Sequence, residues 1–203
     1  MPLHVPQPPA AALHAVRAAL ATGAGRGGGP ATTDPPRVGS ALAVHELTGI
    51  ARQAGPPSTT LTGWRFLLHE PGAPDGTGAG SAEAVPAADG WICAGFSGGP
   101  YTASALRALR QAEALASAAP AGGRCEPRLL SVPELYMVTL WLRGGEQSPE
   151  PPAERTGPAP SDLLIPLAPT PPGLVAHQPQ RASALLPRLS RRLTAARLQS
   201  TPA

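Results

Sequence analysis

Apolar and polar residues alternate most clearly at 64–70, where Trp64, Phe66 and Leu68 oppose Arg65, Leu67 and His69. A period of two predicts a strand with one half-wet face. Residues 135–143 alternate as well, with Tyr136, Val138, Leu140 and Leu142 against Met137, Thr139, Trp141 and Arg143. Apolar side chains on both sides predict a central strand covered on both faces. Shorter strands are expected at 81–85 (an edge strand), 91–96, 128–132 and 162–167. Pro133 kinks the chain between two of them, and Pro166 places the last near an edge or end.

Helical spacing is strongest at 101–119, where Leu106, Leu109, Ala112 and Ala116 recur every three or four residues. Residues 10–22 are rich in alanine and leucine and predict a short helix stopped by the glycines from Gly23 onward. Residues 182–199 predict a terminal helix with a stripe of Leu185, Leu186, Leu189, Leu193 and Ala196, and Pro187 sits about one turn in. Residues 38–54 fit neither period, and Gly55-Pro56-Pro57 closes them.

This order predicts an α+β fold: a small mixed or antiparallel sheet packed by two main helices, with Pro/Gly-rich loops. One strand–helix–strand unit keeps α/β as the alternative. The expected organisation is a flexible N-terminal arm with a short helix (1–37), a single α+β core (38–180) with a disordered loop at 144–160, and a basic amphipathic helix (181–203). With 28 prolines, 23 glycines and only seven aromatics among 203 residues, the core must be built mainly from Leu, Ala, Val and Ile.

Charge changes the picture at one end. Residues 181–203 hold five arginines and no acid, leaving 11 arginines against 13 acids in the rest. All 16 basic residues are arginine, and asparagine is also absent, a bias expected of a GC-rich bacterial source. The two cysteines, Cys93 and Cys125, do not make a disulfide framework. No secretion signal is read at residues 1–12, and no uninterrupted apolar run reaches the length of a membrane span. A soluble cytoplasmic protein with reduced thiols is the expectation.

One motif carries candidate chemistry. Gly95-Phe96-Ser97-Gly98-Gly99 fits G-x-S-x-G between an expected strand and the strongest helix. Glycines there permit a sharp turn, and the helix N-terminus offers N–H groups to a developing oxyanion. Over these five residues the chain resembles the nucleophile elbow of α/β-hydrolases. That resemblance implies Ser97 as nucleophile, His177 as its base and Asp162 as the group orienting the imidazole. His69 is an equally placed base, and no second oxyanion loop is evident upstream. The competing reading makes Ser97 a cap for the helix that follows.

Other chemistry is weaker. The same turn lacks the lysine and spacing of a phosphate-binding loop. Cys93, Cys125, His45 and His69 show no metal-ligand spacing. Neither Glu126 with Glu134 nor Glu150 with Glu154 sets two carboxylates across a cleft. No cofactor is expected.

The terminal helix offers a partner surface from Arg188, Arg191, Arg192, Arg197, Leu189 and Leu193, against the plainer expectation that its leucines dock on the sheet. The chain therefore reads as a non-enzymatic accessory, scaffold or regulatory protein acting through protein–protein binding, with another protein or a second copy as partner. The alternatives are a serine hydrolase using Ser97 and a weak binder of nucleic acid or an anionic surface through the terminal helix.

Overall fold

The computed structural model describes residues 3–23, 36–50, 57–70, 78–118, 124–145 and 157–199. Eight strands, β1 (Arg37–Thr48), β2 (Ser58–His69), β3 (Gly78–Ala87), β4 (Gly90–Ser97), β5 (Arg124–Val132), β6 (Met137–Gly145), β7 (Leu163–Pro166) and β8 (Gln180–Arg181), form one sheet. Its order is β4-β3-β2-β1-β5-β6-β7-β8. Among the described strands only the central β1–β5 pairing is parallel, so the sheet is mixed and the fold is α+β. Three helices pack on it: α1 (Ala10–Ala21), α2 (Pro100–Ala118) and α3 (Ala182–Gln199).

Each half of the sheet is a run of four strands, β1–β4 and β5–β8, followed by a helix, α2 and α3 respectively. Because the halves meet through parallel strands, the helices can close opposite faces. Helix α2 lays Ala105, Ala108, Leu109 and Ala112 over Leu42, Leu67, Leu129, Leu140 and Ile165 on one face. Helix α3 lays Leu185, Leu189 and Leu193 over Leu47, Leu130, Met137, Trp141 and Leu164 on the other. On that same second face α1 covers the first half, with Ala12, Val16 and Leu20 against Ala43, Trp64, Phe66 and Ala84. Burying leucines of this kind stabilises by about 1.5–3 kcal/mol each.

The two-sided strand expected at 135–143 is β6, its Val138, Leu140 and Leu142 under α2 and its Met137 and Trp141 under α3. The expected kink is a single 3₁₀ turn, Pro133–Leu135, which ends on Tyr136 in the left-handed region. The ambiguous segment 38–54 supplies β1, the strand joining the halves; residues 51–54 lie outside the described ones. Two expectations need correction. Leu67, placed on a half-wet face, is fully buried, because α2 crosses back over β2. Residues 81–85 are not an edge: they lie within β3, paired on both sides, and the edge is β4.

The segment expected as an arm contains α1, docked on the sheet, while residues 24–35 are outside the described set. Ahead of it, Leu3 bridges Cys125 in β5, and His4 N–H donates to the Cys125 carbonyl at 2.8 Å. The expected loop at 144–160 falls largely on residues 146–156, also outside the described set.

Candidate functional site

Ser97 is the last residue of β4, ahead of the Gly98-Gly99 turn into α2. Its hydroxyl lies 2.9 Å from that of Ser81, the residue opposite it on β3, and the Ser81 hydroxyl is 3.4 Å from that of Thr102 in α2. This is a hydroxyl chain at a strand end, and among the described residues no histidine is a hydrogen-bond partner of Ser97.

Asp162 is a structural acceptor. It is buried and takes N–H donations from Trp141 Nε1 (2.8 Å), Ala159 (2.9 Å) and Gly144 (3.2 Å). Three donors on one carboxylate hold the end of β6 against the turn that starts β7.

His177 sits in the loop between β7 and β8, with a left-handed φ of 60°. Its Nε2 lies 3.1 Å from Ser104 Oγ, and Ser104 Oγ also accepts the Ala168 N–H at 2.7 Å. Gln111 donates to the His177 carbonyl at 3.0 Å. Desolvation by burial, then the nearby Arg107, lowers the imidazole pKa and favours its neutral form. Ser104 is 4 % exposed, too enclosed for a substrate to reach, so the pair acts as a latch of the loop onto α2.

Ser97, Asp162 and His177 thus occupy three separate hydrogen-bond systems and form no relay. His69 is no closer to the role. It pairs with Arg37 at the end of β2, two strands across the sheet from Ser97, where a Cβ at position 39 would strike its ring.

The terminal helix is also committed locally. Leu189 and Leu193 are buried against the sheet and are not a free partner stripe. Arg188 donates to Gln180 Oε1 at 2.8 Å and to the Gly173 carbonyl at 3.1 Å, and Arg192 donates to the Pro172 carbonyl. Among the described residues Arg191 donates within its own helix, to the Pro187 carbonyl. The side chain of Arg197 lies outside the described residues.

Three arrangements were not evident in the sequence. On the face shared by α1 and α3, Arg128 of β5 pairs with Glu126 (2.7 Å), approaches His45 Nε2 (3.3 Å) and stacks 5.4 Å from the Trp141 ring centre. Burial first, then the Arg128 charge, brings the His45 pKa down to about 4. Every charged member has a partner, so the cluster reads as a brace across the β1–β5 join. Elsewhere a groove of about 550 Å³ opens between residues 5–8, α1 and the bulged start of β1. Phe66 and Ala41 contribute to its lining, together with Arg17, Ser40 and His69.

The third arrangement is the β4 edge itself. Among the described strands β4 pairs with β3 alone. It contains no charged residue and no proline. Trp91, Cys93 and Phe96 turn toward α1, while Ile92, 52 % exposed, and Gly95 turn to the other face. A Cβ at Gly95 would meet nothing within 4 Å. The missing charges were legible in the sequence; the position of β4 at the end of the sheet was not.

Among the described residues no group of three or more His, Cys, Asp or Glu could hold a metal ion, and no helix is long and apolar enough to cross a membrane. No protein-family description, curated protein or solved structure compared with this chain matches it.

Proposed function

We propose that the protein is a non-enzymatic accessory, scaffold or regulatory protein that works by binding another polypeptide chain along β4. The observation that carries this reading is an eight-residue edge strand, uncharged, without proline and carrying a half-exposed isoleucine. Unpaired N–H and C=O groups on a sheet edge are a template for a further strand, and protein edges are commonly blunted by charge, proline or brevity. At β4 only a bulge does so, and it leaves three residues on either side of Cys93-Ala94 free to pair. The hydroxyl chain around Ser97 and the separate engagement of His177 favour binding over hydrolysis.

The test compares immobilised wild-type chain with Ile92→Lys in the same cell extract, with an untagged copy of the chain added. A protein retained by the wild type and lost from a variant of unchanged melting temperature supports the reading. Equal retention by both overturns it, as would fluorophosphonate labelling that disappears in Ser97→Ala.

A further inference from the structure

We infer that the strand which pairs with β4 is β4 of a second copy, running antiparallel, so that two eight-stranded sheets join into one. This rests on the edge-binding reading and adds the partner's identity and the register.

The bulge in β4 sets the register. Glu83 of β3 faces Gly95 and Ala84 faces Cys93, so Ala94 is the extra residue. In a regular strand Trp91 and Phe96, five residues apart, would lie on opposite faces. The extra residue places both on the face of α1, opposite Pro86 and Ala82. By the same shift Ile92 and Gly95 share the other face, opposite Val85 and Glu83.

Facing along β4 therefore reads the same from either end, apart from Cys93-Ala94 at the middle. An antiparallel neighbour centred there sets Trp91 opposite Phe96, Ile92 opposite Gly95 and Gly90 opposite Ser97, each pair on a common face.

Each pairing also suits its side chains. Trp91 and Phe96 form an aromatic cross-strand pair, a favourable combination in sheets. Ile92 is half exposed, and the space over Gly95 is empty. In the paired sheets each isoleucine lies over the other copy's glycine.

Charge favours a second copy as well. A two-fold axis brings the same strand against itself, where charged residues easily meet their own kind. None exists on β4. On that face Glu83 of β3, opposite Gly95, is paired with Arg65 of β2 at 3.4 Å. A distinct partner would need no such match between the strand's two halves.

The experiment is sedimentation equilibrium of the full chain over a wide concentration range. Wild type is expected to move from monomer to dimer. Two double variants, Ile92→Lys/Gly95→Lys and Ile92→Glu/Gly95→Glu, each oppose like charges twice in this register and are expected to weaken the dimer about tenfold or more. Mixed in equal amounts they should form a heterodimer, since the introduced lysines then face the introduced glutamates. Both sites tolerate side chains in the monomer, as Ile92 is half exposed and Gly95 has neither a crowded Cβ position nor a positive φ. Unchanged melting temperatures check this.

A short bismaleimide gives a second readout. It should link two copies through Cys93, beside the two-fold axis, in wild type and Cys125→Ser but not in Cys93→Ser. A wild type that stays monomeric at the highest concentration overturns the inference. So does a mixture of the charge variants that shows no heterodimer. If Ile92→Lys still abolishes capture of a different protein, the edge-binding reading survives the loss of self-pairing; if capture is unaffected, both fall.

Discussion

The two ends of the sheet are built in opposite ways. At one end β8 is two residues long, follows the short β7, and runs directly into α3. Around it the chain ties itself down: Asp162 gathers three N–H donors, Arg188 and Arg192 hold the 172–173 turn, and Ser104 with Gln111 latches His177. At the other end β4 is eight residues long, uncharged, and free along its outer side among the described strands. The sheet is sealed at one edge by brevity and polar ties, and at the other it is left in a form that accepts another strand. The edge proposed to bind is the one that lacks these polar ties.

The largest expected effect comes from breaking the sealed end. Asp162→Ala leaves the Trp141 indole N–H and two backbone N–H groups without their acceptor, for a loss of about 3 kcal/mol. In a chain of this size that is a melting temperature lower by roughly 10 °C, measurable by calorimetry.

Next is the packing that leads to the open end. A Cβ at Gly63 would stand 2.6 Å from the Ala84 carbonyl oxygen, so Gly63→Ala must push β2 from β3. A loss of about 2 kcal/mol is expected by denaturant unfolding. Gly95→Ala, which meets nothing, is the control that should leave stability unchanged.

The join between the halves has a pH signature. The folded-state pKa of His45, about 4, lies below the ordinary imidazole value of 6.5. Its neutral form is therefore favoured by folding, a contribution present above pH 6.5 and lost as pH falls toward 4. The groups facing it are Arg128, Glu126 and Arg143. Part of the imidazole meets solvent, so the effect is smaller than the shift alone implies. Between pH 7 and pH 4.5 the melting temperature of wild type should fall further than that of His45→Gln.

The smallest change in stability is expected at the open edge itself. Ile92→Lys should alter folding by no more than about 0.5 kcal/mol, since the side chain is half exposed. The same variant should lose association. A stability loss comparable to that of Asp162→Ala would mean the β4 edge is part of the core, and the contrast between the ends would collapse.

Legibility followed the range of the signal. The bounds 182–199 of α3 and the two-faced character of β6 were readable because their repeats are complete within one segment. The 38–54 segment was unreadable because β1 is bulged between Val38 and Ala41 and its Ala41–Val44 run is buried on both faces, which hides its alternation. Leu189 and Leu193 followed the plainer reading of a helix docked by its leucines. The serine motif misled on partners because its order along the chain says nothing about where Asp162 and His177 are carried. His177 is drawn to Ser104, a residue on the first turns of α2 that no pattern had marked.

By itself the sequence determined the helices and the two-faced β6, the thin aromatic supply, the basic C-terminal helix and the absence of charge from 90–97. Tertiary structure alone decided that β1 and β5 pair in parallel, that α2 and α3 close opposite faces, and that the uncharged strand lies at the edge. The physical reason is distance along the chain. A helix or strand is written in repeats of two or three to four residues. Strand neighbours such as Ala43 and Arg128 are chosen by competition among all the apolar faces the chain must bury at once.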